Sequence, residues 1–215
     1  ADLQSMLSLV IGKDYDTPLP LPTMDETING YPFGHPLRDF TEPLNLSTGA
    51  GHYWKSEYKV SVKRDFFQQI TDKDYGTKIV FKDSSAARAL QTNFYTGLYC
   101  LLSGVRPIIV NTDAMKSELL PLEKIAQGKT RLFSIADIVE VLLERKFFLP
   151  YMGLLSKYHG QLPFKLGICP MKEFHWIYQE IKHFETVYSI DFVRYDKNLL
   201  FEFVFQALNA CLRDP

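Results

Sequence analysis

The hydrophobic pattern changes its period within the first half of the chain, and this change restricts the choice of fold. Polar and apolar residues alternate through residues 59–82, on both sides of a segment that contains Gly76. This alternation predicts a β-hairpin with a glycine-containing turn. Apolar residues then recur at spacings of three and four through residues 84–104, which predicts a helix that a serine caps and Gly104 ends. We therefore expect a mixed fold, α/β (α+β).

The second half of the chain predicts further helices and one strand. Ser134 and Asp137 have the spacing of a capping box, so a second helix should begin after Ser134 and kink or end at Pro150. A third helical pattern follows Pro170, and residues 187–190 then indicate a buried strand. A last helical pattern closes the chain. The first fifty residues hold many of the prolines and glycines, which favours extended, loop-rich structure there.

Composition limits the classes of protein that the chain can belong to. With 215 residues, of which 46% are hydrophobic, it can bury a sizeable core and is not expected to be disordered. Its formal net charge of -1 argues against a protein that coats nucleic acid through a general positive field. Any contact with RNA would therefore come from local patches.

The cysteines and the N-terminal residues bear on the compartment. The three cysteines lie in apolar surroundings without C-x-x-C spacing, which predicts buried free thiols and a reducing compartment. They are Cys100, Cys169 and Cys211. The apolar run near the start is too short for a membrane span, and no targeting segment is evident.

Residues 115–133, here named the basic arm, concentrate positive charge in a short segment. Its four cations are Lys116, Lys124, Lys129 and Arg131. A guanidinium group can fork onto phosphate oxygens and lysines act as mobile point charges, so the arm suits phosphate binding. Such a segment can also be an ordinary solvated face, and Glu118 and Glu123 partly cancel its charge. We expect Glu118 to orient a neighbouring cation rather than to bind a ligand.

The arm also contains a partial match to a Walker A loop. Gly128-Lys129-Thr130 resembles the end of that motif. The motif requires a second glycine at position 123, where Glu123 stands. A P-loop ATPase is therefore disfavoured.

Residues 44–51, here named the glycine loop, read LNLSTGAG. Small residues let a ligand approach the backbone closely, and the hydroxyls of Ser47 and Thr48 can donate hydrogen bonds to phosphates. The other interpretation is an ordinary glycine-rich surface turn.

Two aspartates follow the strand predicted at residues 187–190. Asp191 stands at its end, where a carboxylate can hold a metal ion in a cleft or accept hydrogen bonds from loop amides. Asp196 comes five residues later and precedes the last helical pattern, where aspartate is a favoured N-cap.

Taken in order, these three segments resemble motifs of the RNA-dependent RNA polymerases of picorna-like positive-strand RNA viruses. Residues 47–51 resemble motif G, which guides the template strand. The basic arm resembles motif F, which covers the incoming nucleoside triphosphate. Residues 191–196 resemble motif A of the palm. The resemblance spans nearly the whole chain, and the shared order makes it more specific than any single motif.

The resemblance implies a role for each site residue. Template contacts would come from Ser47, Thr48, Gly49 and Gly51. Nucleotide contacts would come from Lys116, Lys124, Lys129, Arg131 and Asp196. Asp196 would select the ribose through its 2′-hydroxyl. Asp191 would be the catalytic residue and a ligand of magnesium, of which the complete enzyme holds two ions, or of manganese in its place. Leu120 stands where the family often carries an arginine.

The resemblance also implies an architecture. Residues 1–186 would form the fingers of a right-hand polymerase with an extended N-terminal region, and residues 187–215 would form the first strand and helix of the palm. The family continues into a serine/threonine-glycine motif B and a Gly-Asp-Asp motif C. Neither follows here, and no two aspartates are adjacent in the sequence. We expect the chain to be truncated before motif C and inactive alone.

The expected function is RNA-directed RNA synthesis during viral genome replication in the host cytoplasm, at replication complexes. The expected partners are template and primer RNA, nucleoside triphosphates, the rest of the palm and thumb, and other viral replication proteins. The alternative is a non-catalytic RNA-binding or replication-complex assembly protein with a fingers-like scaffold. A Gly-Asp-Asp motif in the downstream coding sequence would separate the two.

Overall fold

The computed structural model describes Gly12 and residues 19–162, 168–190 and 202–203. Its helices and strands are α1 (Met24–Asn29), α2 (His52–Glu57), β1 (Phe67–Asp72), β2 (Gly76–Phe81), α3 (Ser85–Leu102), β3 (Thr112–Met115), α4 (Leu122–Ala126), β4 (Leu132–Ile135), α5 (Ile138–Lys157) and α6 (Pro170–Ile181). The expected mixture of helices and strands is confirmed. The chain divides into two compact units, Leu21–Leu149 and the remainder.

Strands β1 and β2 form the predicted antiparallel hairpin, with pairs from Phe67↔Phe81 to Asp72↔Gly76. The Asp72 carboxylate holds the turn by accepting hydrogen bonds from the backbone N–H groups of Asp74 (2.8 Å) and Tyr75 (3.2 Å). Gly76 has a φ of 75°, a conformation that glycine adopts without strain.

The prediction that the hairpin begins at residue 59 is wrong. Residues Lys63–Phe66 form a 3-10 turn instead. The backbone N–H groups of Lys63 and Arg64 donate to the carbonyl oxygens of Thr48 and Leu46, both at 3.0 Å. Because these donors bond the glycine loop, they are not available to a sheet partner.

Helix α3 confirms the helix predicted from residues 84–104. The Ser84 hydroxyl accepts a hydrogen bond from the Ala87 N–H at 3.1 Å, which caps the first turn. At the other end, Val105 N–H donates to Cys100 O (2.8 Å) and Gly104 N–H donates to Leu101 O (3.0 Å). This pair of bonds is a Schellman motif, and Gly104 supplies the positive φ of 72° that the motif needs.

Helix α5 departs from its prediction at both ends. Its cap is Asp137, whose Oδ1 accepts from Val139 N–H at 2.9 Å. Ser134 cannot cap it because Ser134 lies in β4, where its hydroxyl donates to the Asp113 carboxylate. The helix also continues through Pro150 to Lys157, so of the two outcomes predicted at Pro150, a kink or an end, the end does not occur. Buried apolar side chains on both sides of the proline offset the backbone hydrogen bond that it removes.

The core of the Leu21–Leu149 unit is built from aromatic and aliphatic side chains of four helices and the hairpin. Trp54 of α2 is fully buried, and its ring meets the Phe66 ring edge-on with centroids 5.1 Å apart. The other large, fully buried side chains of this core are Ile28, Leu90, Phe94, Ile138 and Leu142.

The loop-rich start of this unit contains the short α-helix α1, and two polar side chains, Asn29 and Arg145, bind it to the core. Asn29 donates to the carbonyl oxygens of Asp25 and Ile79 at 3.0 Å each, and accepts from Ile79 N–H at 2.6 Å. Arg145 of α5 donates to the carbonyl oxygens of Thr27 and Glu42, both at 2.7 Å. These bonds satisfy backbone groups that regular structure leaves unpaired.

The second unit contains the predicted helix after Pro170. Pro170 is the first residue of α6, and the Glu173 carboxylate accepts from Cys169 N–H at 2.7 Å. Residues 186–190 are exposed and lie in no strand, so the prediction of a buried strand there is wrong for the described part of the chain. Strand formation requires a neighbouring strand to pair with.

The helices in the described part of the chain include none with the length and apolar character of a membrane span.

The described cysteines are free thiols, as predicted, but less buried than expected. Cys100 and Cys169 are both half-buried. Cys211 and nearly all of the predicted last helix lie outside the described residues.

We predict that Asn29→Ala lowers the free energy of unfolding by about 2–4 kcal/mol, because the N–H and C=O groups of Ile79 lose their buried partner. Denaturant unfolding measures this. Gln68→Ala, which removes an exposed carboxamide from β1, is the matched control and should change stability by less than about 0.5 kcal/mol. Equal losses in the two variants would contradict the role given to Asn29.

Candidate nucleotide and template site

The basic arm forms the distal part of a β-hairpin with a helical tip, here named the arm hairpin, which spans residues 112–135. Strands β3 and β4 pair antiparallel from Thr112↔Ile135 to Met115↔Leu132, and α4 lies between them. The Lys116 N–H donates to Arg131 O at 2.9 Å, which extends the pairing by one step. This bond brings two of the four predicted cations side by side.

Glu118 organises these two cations. Its Oε1 accepts from Arg131 Nε at 2.8 Å and its Oε2 accepts from Arg131 Nη2 at 2.5 Å, while Lys116 Nζ lies 3.7 Å from Oε2. The hydrogen bonds from Arg131 hold the pKa of Glu118 below its usual range. The structure thus agrees with the expectation that Glu118 orients neighbouring cations. Arg131 keeps the rest of its five N–H donors for another acceptor.

Gly128 ends the short helix α4. Lys129 N–H donates to Lys124 O, and Gly128 N–H donates to Ile125 O, both at 2.9 Å. These two bonds form a Schellman motif, for which Gly128 supplies a φ of 63°. The glycine before Lys129 therefore has a structural cause that is unrelated to a Walker loop.

The remaining two cations lie around this turn. Lys124 and Lys129 are exposed, and neither pairs with a carboxylate in the part of the chain that the structure describes. The structure thus divides the predicted cations into a pair held by Glu118 and a pair open to solvent at the tip.

The glycine loop is held by Asn45, a residue that the sequence analysis missed. The Asn45 Oδ1 accepts from Ser47 N–H (3.0 Å) and from the Ser47 hydroxyl (2.7 Å), and the Thr48 hydroxyl donates to Asn45 O at 3.2 Å. An asparagine two residues before a serine is a known turn signal that could have indicated this. Both hydroxyls are exposed but would have to leave these partners to donate to a phosphate.

The loop is attached to the segment before the hairpin by backbone hydrogen bonds. Ala50 N–H donates to Ser61 O at 3.1 Å, and Gly49 pairs with Val62 in an isolated bridge. Lys63 of this segment is buried, with 7% of its surface exposed. Burial lowers the pKa of Lys63, the nearby charge of Arg145 lowers it further, and Asp137 opposes both.

Asp137 is the second residue that the sequence analysis missed as part of the site. It is 5% exposed, and its Oδ1 accepts from Trp54 Nε1 at 3.1 Å as well as from the helix α5 N-terminus. Burial raises the pKa of Asp137, although the hydrogen bonds from Val139 and Trp54 act in the opposite direction. No local pattern indicates this contact because the two partners are 83 residues apart.

The two aspartates predicted from motif A, Asp191 and Asp196, lie outside the described residues. Among the residues that are described, no group of three or more histidine, cysteine, aspartate or glutamate side chains is placed to hold a metal ion. The roles assigned to Asp191 and Asp196 stay predictions.

Comparison with known proteins identifies relatives over most of the chain. The family described as viral RNA-dependent RNA polymerase matches residues 35–215. The RNA1 polyprotein of tomato torrado virus is 33% identical over 137 residues, which are 61% of this chain and 6% of the polyprotein. The replicase polyprotein of cricket paralysis virus is 26% identical over 172 residues, which are 79% of this chain and 9% of the polyprotein. The chain thus spans less than a tenth of either polyprotein.

A solved structure shares the fold. It is described as a sicinivirus 3Dpol RNA dependent RNA polymerase and matches with a TM-score of 0.66 at 22% identity, over 97% of this chain and 40% of that one. The polymerase fold and the family that the order of the three motifs indicated are confirmed.

We predict that Gly51→Ala destabilises the protein by about 2–4 kcal/mol, because its φ is 116° and the added Cβ would overlap with the Asp137 carboxylate. Gly49→Ala in the same loop is the control. Its Cβ would lie 3.3 Å from Ile135 Cγ2, which can move, so we expect a loss below about 1 kcal/mol. Thermal unfolding compares them, and a smaller loss for Gly51→Ala would disprove the described packing.

The Glu118 carboxyl group should titrate below its usual range in a carbon-detected NMR titration, because Arg131 bonds its charged form. Since the folded pKa is depressed, the stabilisation from this pair is present above the unfolded-state pKa and is lost as the pH falls through the folded value. Arg131→Gln should raise the pKa of Glu118, whereas Lys129→Gln should not. The same pKa in wild type and Arg131→Gln would refute the pairing.

Proposed function

Because the chain belongs to the viral RNA-dependent RNA polymerase family, we propose that it forms the fingers and the opening of the palm of a longer polymerase that copies viral RNA. Residues 1–186 belong to the fingers with their extended N-terminal region, and residues 187–215 open the palm. The enzyme joins the 3′-hydroxyl of an RNA primer to the α-phosphate of a nucleoside triphosphate and releases pyrophosphate. The observation that carries this proposal is the arrangement of four exposed cations on the basic arm.

The basic arm binds the triphosphate. Arg131 is pre-oriented by Glu118 and still has N–H donors that match phosphate oxygens. Lys124 and Lys129 are exposed at the turn after α4, and no carboxylate among the described residues pairs with them before they meet a phosphate. Lys116 stands beside Arg131 and adds charge at the start of the arm.

The glycine loop guides the template strand. The Cβ sides of Gly49 and Gly51 face Ile135 and Asp137, so these glycines fix the course of the loop backbone beside the template. The exposed hydroxyls of Ser47 and Thr48 can donate to RNA phosphates once they leave Asn45. Contacts of this kind position a strand without reading its sequence, as copying of any template requires.

Polymerases of this family use divalent metal ions. We assign Asp191 as a magnesium ligand, with manganese able to replace magnesium, and Asp196 to the ribose 2′-hydroxyl. When bound, the ions would neutralise charge that develops on the phosphates. The residues of the basic arm and the glycine loop bind and orient the triphosphate and the template.

The proposed partners are template and primer RNA, nucleoside triphosphates, the remaining palm and thumb, and other viral replication proteins at replication complexes in the host cytoplasm. A non-catalytic protein on the same scaffold would bind RNA without using triphosphates. Measuring the affinity for RNA and the use of nucleoside triphosphates separates the two functions.

We predict that Lys129→Gln with Arg131→Gln raises the KM for nucleoside triphosphates in the longer polymerase by about tenfold to a hundredfold. The dissociation constant for RNA should rise much less, because the pair acts mainly on the triphosphate. Lys73→Gln with Arg88→Gln removes two exposed cations outside the arm and should leave the KM unchanged. Equal losses of RNA and nucleotide affinity across a salt titration would contradict the division between arm and loop.

A further inference from the structure

The glycine loop and the base of the arm hairpin, which carries the basic arm, meet at Asp137. On the loop side, Trp54 Nε1 donates to its carboxylate, and a Cβ at Gly51 would lie only 3.0 Å from Asp137 Cγ. On the arm side, Asp137 N–H donates to Asn111 Oδ1 at 3.0 Å. Asn111 directly precedes β3 and Asp137 follows β4 by two residues, so this bond closes the base of the arm.

Two neighbouring contacts support the same junction. Ile138 N–H donates to Ala50 O at 3.0 Å, and a Cβ at Gly49 would lie 3.3 Å from Ile135 Cγ2. Three successive residues of the glycine loop therefore face the end of the arm and the first turn of α5.

The junction is rigid because Asp137 is buried and its Oδ1 is held by two donors. Trp54 Nε1 and Val139 N–H fix the carboxylate, and water has almost no access to replace either of them. Hydrogen bonds in such surroundings are stronger than those at the surface, and breaking one leaves a buried polar group unpaired.

We propose that Asp137 is a positioning residue that holds the glycine loop and the basic arm in one fixed arrangement. The template strand and the triphosphate then bind at fixed positions relative to each other. Its carboxylate acts through Trp54 and its backbone N–H acts through Asn111, rather than by contact with either ligand. The assignment rests on the proposed function of the two segments, but the mechanical link itself can be tested without any ligand.

Hydrogen–deuterium exchange of the 215-residue chain tests the link. Asp137→Ala should speed amide exchange by about tenfold in the glycine loop and in the first turn of α5, because both lose the carboxylate, whereas the backbone N–H of residue 137 keeps its bond to Asn111. Trp54→Phe, which keeps an aromatic ring in the core, should act mainly on the loop, and Asn111→Ala mainly on the arm. The control Ser134→Ala removes the hydrogen bond between Ser134 and Asp113, which joins strands β3 and β4. It should leave amide exchange in the glycine loop unchanged.

A double-mutant cycle strengthens the test. If the indole N–H acts through Asp137, Trp54→Phe should add almost nothing to loop exchange in the Asp137→Ala background. Unchanged exchange of the glycine loop in Asp137→Ala, or fully additive effects in the cycle, would overturn the proposal.

Binding measurements test what the link is for. Asp137→Ala combined with Asn111→Ala releases both segments and should weaken binding of labelled single-stranded RNA and of ATP, each by about tenfold. A role in folding alone would lower the melting temperature and leave both dissociation constants unchanged. The latter result would overturn the proposal. Wild-type protein that binds neither RNA nor ATP would instead contradict the proposed function, and it is distinguishable because the exchange experiment needs neither ligand.

Discussion

The buried carboxylate of Asp137 is the interaction on which the arrangement of the site depends. Burial of a charge is unfavourable, and it raises the pKa of this group. The carboxylate nevertheless joins elements far apart in sequence, because one oxygen accepts both from the indole of Trp54 and from the first turn of α5. Without it, the polar contacts described at this junction would be the bond from the backbone N–H of residue 137 to Asn111 and the backbone bond from Ile138 to Ala50.

A second electrostatic constraint acts on the basic arm, where like charges lie close together. Four cations on a short exposed hairpin repel one another when no anion is bound. Glu118 offsets this repulsion for Lys116 and Arg131 and gives the guanidinium group a defined orientation. The Schellman turn at Gly128 places Lys124 and Lys129 on either side of the α4 terminus, where they stay exposed. Local turn chemistry thus sets the positions of the charges that a triphosphate would meet.

Elements governed by local rules were predictable from the sequence. The period of the apolar residues, Ser84 and Gly104 together defined α3, and the alternation around Gly76 defined the β1–β2 hairpin. Ser134 was predicted to cap α5, but it lies in strand β4, where its backbone pairs with β3. Strand pairing therefore decides its conformation. Residues 187–190 have the composition of a strand, but pairing depends on a neighbour that their own composition cannot reveal. The partnership of Trp54 and Asp137 was equally beyond local inference, since it spans the core.

The most direct test of the account is photo-cross-linking of the longer polymerase with a 4-thiouridine template and with 8-azido-ATP, followed by mass spectrometry of the cross-linked peptides. The account predicts RNA cross-links in residues 44–51 and nucleotide cross-links in residues 115–133. Template cross-links on the basic arm together with nucleotide cross-links on the glycine loop, or cross-links that avoid both segments, would contradict it.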